Sequence, residues 1–339
     1  MLFQPAIIAL VLASALSALM LVASLPFAVA VLRRWDLSSG AESQVRLEKR
    51  TYLVATLIKI VLVAEAAALV LFVFNADRMA ELFTGAMCAV GTLKVDPFGF
   101  PALYLKLAVF FLAAFWLILN HIDNRGWDYP LIRVKYVALM VLAPVMLAAG
   151  VVQLLYFLGL RADVITSCCS TLFSGNGITV TSNSVAALPH AWALSLLAAG
   201  LAAVLSSGAV YLRWGRGGVI HAVLSLAVLA IGLAAIISTI SVYVYELPHH
   251  HCPFCILKRE YHHLGYGLYI PLFLGTALGV GAGLAAAAAR GCASLSVVGA
   301  EIARRLTLVS MLAFAAFGGV CGGLIWRSHL ILFEGAPWH

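Results

Sequence analysis

Eight apolar runs, each close to the ~20 residues needed to cross a hydrocarbon core, leave this chain little choice of environment. They fall near 5–32, 52–74, 103–120, 136–159, 190–212, 218–245, 268–289 and 306–326. Charged residues are only 10% of 339 positions, against about 25% in a soluble domain, and the mean hydropathy is +1.04. The expected fold is an all-α integral membrane protein: one polytopic domain over 1–339, with eight transmembrane helices and the lipid bilayer as its first partner. No basic stretch precedes the first run, which is long enough to span, so it is expected to stay as an anchor and not be cleaved as a signal peptide.

Lys and Arg set the expected orientation. Loops after the odd-numbered runs hold thirteen of the 21 basic residues, among them Arg33, Arg34, Arg46, Lys49, Arg50, Arg133 and Lys135. Loops after the even-numbered runs, with the C-terminal tail, hold six. The positive-inside rule makes the first set cytoplasmic and puts both termini outside, in a cell inner or plasma membrane. The net charge of +7 then reports topology, and no nucleic-acid partner is expected. The cytoplasmic connections carry no nucleotide-binding loop, so any ATPase must be another chain. Trp and Tyr near the run ends, such as Trp35, Trp127 and Trp214, read as interfacial belts. Gly and Ala in "LGTALGVGAGLAAAAA" suit close helix packing, or are simply filler in an Ala-rich composition.

Sulfur and imidazole gather in the outer connections 75–102, 160–189 and 246–267. Five of seven cysteines fall there: Cys88, the adjacent pair Cys168 and Cys169, and Cys252 with Cys255 in "HHHCPFCILKREYHH". Cys292 and Cys321 read as structural. Clustering on the side where disulfides form points to thiol chemistry. A C-x-x-C at a helix N-terminus, with Lys258 and Arg259 near, favours thiolate; "CPFCILKREYHHLGYG" is expected to be such a helix, broken by Gly265 and Gly267. Five thiols cannot all pair, so either one stays competent for exchange or the set binds metal.

Two uses of these residues are open. Cys252, Cys255, Cys168, Cys169 and Cys88 are the candidate catalytic residues of a membrane thiol–disulfide oxidoreductase. It would exchange electrons with a periplasmic thiol protein and a quinone, with Glu65, near the middle of the second run, carrying a proton or lining the quinone site. Alternatively, His249, His250, His251, Cys252, Cys255, His262 and His263 form a ligand set for copper or zinc, soft thiolate favouring copper, in a transporter or accessory protein. A third reading is a structural subunit of a larger complex, its outer loops stapled by disulfides. Haem is disfavoured: His121, His190, His221 and His329 lie near run ends, and no C-x-x-C-H occurs. Lys59 shares the second run with Glu65 but sits about 120° round the helix from it. Asp123, Arg125, Glu301, Arg304 and Arg305 are expected on solvated cytoplasmic faces.

The cysteine arrangement is similar in role to that of vitamin K epoxide reductases and the bacterial disulfide-forming quinone reductases, which combine a membrane-edge C-x-x-C with a second loop cysteine pair. Those enzymes use a four-helix core, whereas here the cysteines are spread over eight expected helices, so the resemblance is one of arrangement.

Overall fold

The structure, a computed structural model, describes residues 3–36, 41–161, 164, 166, 188–248 and 250–330. No strand occurs among them. Among the described residues the α-helices are α1 (Pro5–Arg34), α2 (Glu42–Arg78), α3 (Ala89–Lys94), α4 (Gly99–Asp123), α5 (Ile132–Gly159), α6 (His190–Trp214), α7 (Gly218–Ala235), α8 (Ser241–Tyr245), α9 (Leu264–Gly291) and α10 (Ser296–Arg327). A π-helical turn, Ile236–Ile240, joins α7 to α8. Counting α7 through α8 as one, eight helices among the described residues are long and apolar enough to cross a membrane. They match the eight runs in order and overshoot them at several ends, most at α2 and α10, because polar and charged residues extend the helices past the apolar stretch.

The chain forms two compact units. Unit 1 comprises Met1–Met79, Thr92–Val164 and Ala285–Ile302, so it holds α1, α2, α4 and α5. Its core is apolar along most of its length: Leu21, Ile58, Leu62, Trp116, Leu139 and Met146 are buried together. Charge is nonetheless buried in it. Lys135 reaches Asp123 at 2.5 Å with both side chains fully enclosed, and the second Asp123 oxygen accepts the Leu131 N–H at 2.9 Å. Asp123 is therefore not on a solvated face, as its place at a run end suggested. Eight residues separate the end of α4 from α5, and the lysine in the first turn of α5 meets the carboxylate. Arg125, Glu301, Arg304 and Arg305 are exposed as expected.

Unit 2 comprises Ala80–Gly91, Ile165–Leu284 and Ala303–His339. Its centre is α9, with 61% of its most apolar window buried, against 22–39% in the other seven candidate spans. The reason is a stripe of Gly275, Gly279 and Gly283 at four-residue spacing. A Cβ on Gly279 would lie 2.1 Å from Ser225 Oγ, one on Gly283 2.5 Å from the Ala222 Cβ, and one on Gly275 3.2 Å from the Phe314 ring. The small residues let α7 and α10 approach the α9 backbone, so they are a packing seam and not compositional filler.

Two outcomes test this packing. Gly279→Val should destabilise the purified protein strongly in a thermal-unfolding assay, whereas Gly319→Val, where nothing lies within 4 Å of the added Cβ, should be near neutral. Asp123→Asn should cost about 3–5 kcal/mol, since it strands the Lys135 charge in the core; an unchanged unfolding midpoint would show that the pair is hydrated.

Candidate thiol centre

Unit 2 gathers three cysteines from two distant connections. Cys88 directly precedes α3, in the connection that follows α2. Cys252 and Cys255 lie in the connection between α8 and α9. The three Sγ atoms lie within 4.8 Å of one another, and all three residues are buried. Cys88 Sγ is 3.7 Å from Cys252 Sγ. No disulfide joins them.

Local sequence explains the turn that carries the pair. Helix α8 ends at Glu246, which adopts a left-handed conformation (φ 54°). Its carboxylate accepts the backbone N–H of His329 at 2.9 Å, fixing the exit of α8 to the end of α10. The chain then doubles back under two tyrosines: Tyr245 donates its hydroxyl to the Cys252 carbonyl at 2.5 Å, and Tyr269 donates to the Pro253 carbonyl at 2.8 Å. Cys255–Leu257 and Arg259–Tyr261 are single 3₁₀ turns. The expected interfacial α-helix over "CPFCILKREYHHLGYG" does not form. Pro253 withholds an N–H, His262 and His263 turn left-handed at φ 53° and 56°, and Ile256 and Leu257 pack onto the Gly265 backbone. Gly265 and Gly267, expected as breakers, lie inside the first turns of α9.

The Cys88 side is fastened differently. Gly85 has φ +85°, and a Cβ there would lie 2.1 Å from the Thr166 carbonyl oxygen. Thr166 N–H donates to the Thr84 carbonyl at 3.0 Å. The connection after α5 is thereby strapped to the turn that leads into Cys88.

The histidines divide. His250 packs edge-on against Tyr245 with ring centroids 4.4 Å apart. Burial holds its imidazole below the usual range, opposed by neighbouring Cys88 and reinforced by His251. His251 is nearly buried and donates Nδ1–H to the Ile237 carbonyl at 3.1 Å, so in the neutral ring Nε2 carries the lone pair. His190 meets Thr239 of the same π turn at 3.3 Å, and its ring lies nearly parallel to that of His251, 6.5 Å away. His262 and His263 are exposed beyond the turn and are not in the three-thiol group. His221 is buried with both ring nitrogens near Ser207, Val204 and Ser310. Cys168, Cys169 and His249 lie outside the described residues. Glu65 belongs to unit 1, where it pairs with Lys106 at 3.2 Å.

Sequence reasoning missed Tyr245, Tyr269, Gly85 and Lys106. The first three act through backbone geometry, which spacing does not reveal. Lys106 was visible as the lone charged residue of the third run.

Comparison with known protein families, with curated proteins and with solved structures finds no match. The chemistry of the three thiols must therefore be read from their own geometry.

Each tyrosine bond is worth about 0.5–1.5 kcal/mol. A Tyr245→Phe, Tyr269→Phe double variant should therefore release the turn and raise the rate of maleimide labelling at Cys252 and Cys255 by about tenfold. An unchanged rate would mean the two hydroxyls do not hold the thiols closed.

Proposed function

We propose that this chain is a multi-pass protein of the inner or plasma membrane that holds a soft metal ion, copper(I) before zinc, on Cys88, Cys252 and Cys255. In this reading the helices lie in the bilayer with both termini outside, as the Lys and Arg distribution favours, and the thiol centre faces the outer compartment. The protein passes or stores the ion there as a transporter or an accessory subunit, alone or with further subunits.

The observation that carries this reading is the sulfur spacing. Ligands at a metal–sulfur distance of about 2.3 Å stand roughly 3.8–4.0 Å apart round a tetrahedral or trigonal ion; Cys88 and Cys252 stand at 3.7 Å. A disulfide would need about 2.05 Å. Burial supports the same side. Thiols that exchange with other proteins are partly exposed, whereas these are enclosed, and a cation bound to them would offset the desolvation of the thiolates it needs as ligands. Softness and the donor count favour copper(I): three sulfurs converge among the described residues, while structural zinc takes four ligands. His250 and His251 do not join the group and His262 and His263 are exposed, so the ligand set proposed here is the three cysteines; His249 lies outside the described residues.

A second reading keeps the thiol–disulfide oxidoreductase, because three thiols are an odd number in contact. A disulfide between Cys252 and Cys255 would leave Cys88 placed to attack Cys252, forming a Cys88–Cys252 bond and releasing Cys255 as thiolate. Electrons would then come from or go to a periplasmic thiol protein and a quinone, with Cys168 and Cys169 as the shuttle.

Metal analysis of the full chain, purified anaerobically after copper(I) loading, separates the two. The metal reading expects about one copper per chain on sulfur donors. It also expects Cys88→Ser to weaken binding by more than about 100-fold, since loss of a mere outer-shell partner already costs about 10–100-fold. Metal-free protein in which oxidant drives a Cys88–Cys252 or Cys252–Cys255 bond would transfer the function to thiol exchange.

A further inference from the structure

Unit 1 contains two buried ion pairs that differ in how fully their carboxylates are satisfied. Asp123 has a partner on each oxygen, Lys135 at 2.5 Å and the Leu131 N–H at 2.9 Å. Glu65 has one. Its Oε2 meets Lys106 Nζ at 3.2 Å, long beside the usual ~2.7–2.9 Å of a charge-assisted bond. Its Oε1 is closed to solvent and has no hydrogen-bond partner. Lys106 shares its N–H groups with Ser14 Oγ at 3.0 Å. Ser14 lies 3.5 Å from Gln153 Oε1, and Gln153 donates to the Leu10 carbonyl at 3.1 Å. Both charged side chains are at most 2% exposed.

An ionised carboxylate presents about four lone-pair sites, and here a single long bond answers them. Asp123 is not in that state; elsewhere in the unit the neutral Asn120 also buries a side-chain oxygen with no partner, but it carries no charge to satisfy. We propose that Glu65 is a proton-exchanging carboxyl, with Oε1 as the atom that takes up and releases the proton. Uptake forms an O–H bond on Oε1 and breaks one in hydronium, leaving water; no electrons are transferred. The charge of the Glu65–Lys106 pair rises from zero to +1, carried on Lys106 Nζ and shared with Ser14 Oγ, and release reverses this. The ionisable group against Glu65 is Lys106 from α4, while α1 and α5 contribute Ser14 and Gln153, which do not titrate. Lys59, on the same helix, is exposed.

On the side of Asp123, Val109, Ala113 and Trp116 of α4 are buried with Ile58 and Leu62 of α2 in one apolar cluster. This site does not depend on the thiol centre, which lies in unit 2.

Infrared difference spectroscopy of the full chain in lipid, stepped from about pH 4 to 10 to cover the reference Glu and Lys ranges, tests it. The wild type should show a protonated-carboxyl C=O stretch that appears on one side of a midpoint and shifts in deuterated water. Glu65→Gln should abolish that band, and Asp123→Asn should leave it. Ser14→Ala, which keeps both charges, should move the midpoint by about one pH unit, a tenfold change in proton affinity. No titrating band in the wild type, a band that survives Glu65→Gln, or a midpoint unmoved in Ser14→Ala would each overturn the proposal.

Discussion

In hydrocarbon every backbone N–H and C=O must find its partner within the protein, because no water is there to take its place. Helices long and apolar enough to cross a membrane, into which nearly every described segment of this chain falls, would meet that requirement. The consequence reaches the chemistry. Among the described residues irregular backbone is confined to the helix ends, and Cys88, Cys252, Cys255 and most of the histidines lie there. The thiol centre is built from two such ends, one before α3 and one between α8 and α9. Each is held by carbonyl and hydroxyl bonds in place of a helical ladder.

The interior follows the same economy of polar groups. In unit 2 the glycine stripe on α9 removes side chains so that helices approach closely; Ser310 of α10 donates to the Gly275 carbonyl of α9, and Ser225 and Thr276 donate to carbonyls one turn back in their own helices. In unit 1 the buried lysines are tolerated because a carboxylate meets each. The contrast between Asp123, fully bonded, and Glu65, half bonded, separates a pair that serves as a strut from one able to change its proton count.

The number and order of the helices were legible in the sequence, because hydropathy over about 20 residues is set by transfer energy and needs no tertiary information. The concentration of Cys88, Cys252 and Cys255 was legible as a pattern, and the structure brings those three together. The form of "CPFC" was not: its helix-like composition is overruled by Pro253, by two left-handed histidines and by contact with α9, all of which depend on what surrounds the segment. Asp123 and Lys135 read as a solvated loop because they flank an apolar run, and only the reversal between α4 and α5 shows them facing each other. Lys106 sits in a run too apolar to suggest that a carboxylate from α2 waits opposite. For Gly275, Gly279 and Gly283, composition gave two equal readings, and the neighbours of each Cβ position decided between them.

The account rests on Cys88 meeting Cys252 and Cys255, residues more than 160 positions away in the chain. Treating the reduced protein with a short homobifunctional thiol cross-linker and mapping the linked peptides by mass spectrometry tests this directly. A peptide containing Cys88 joined to the one carrying Cys252 and Cys255 is the result expected here. Links confined to the Cys252–Cys255 peptide, with Cys88 modified singly, would show that the two ends never meet.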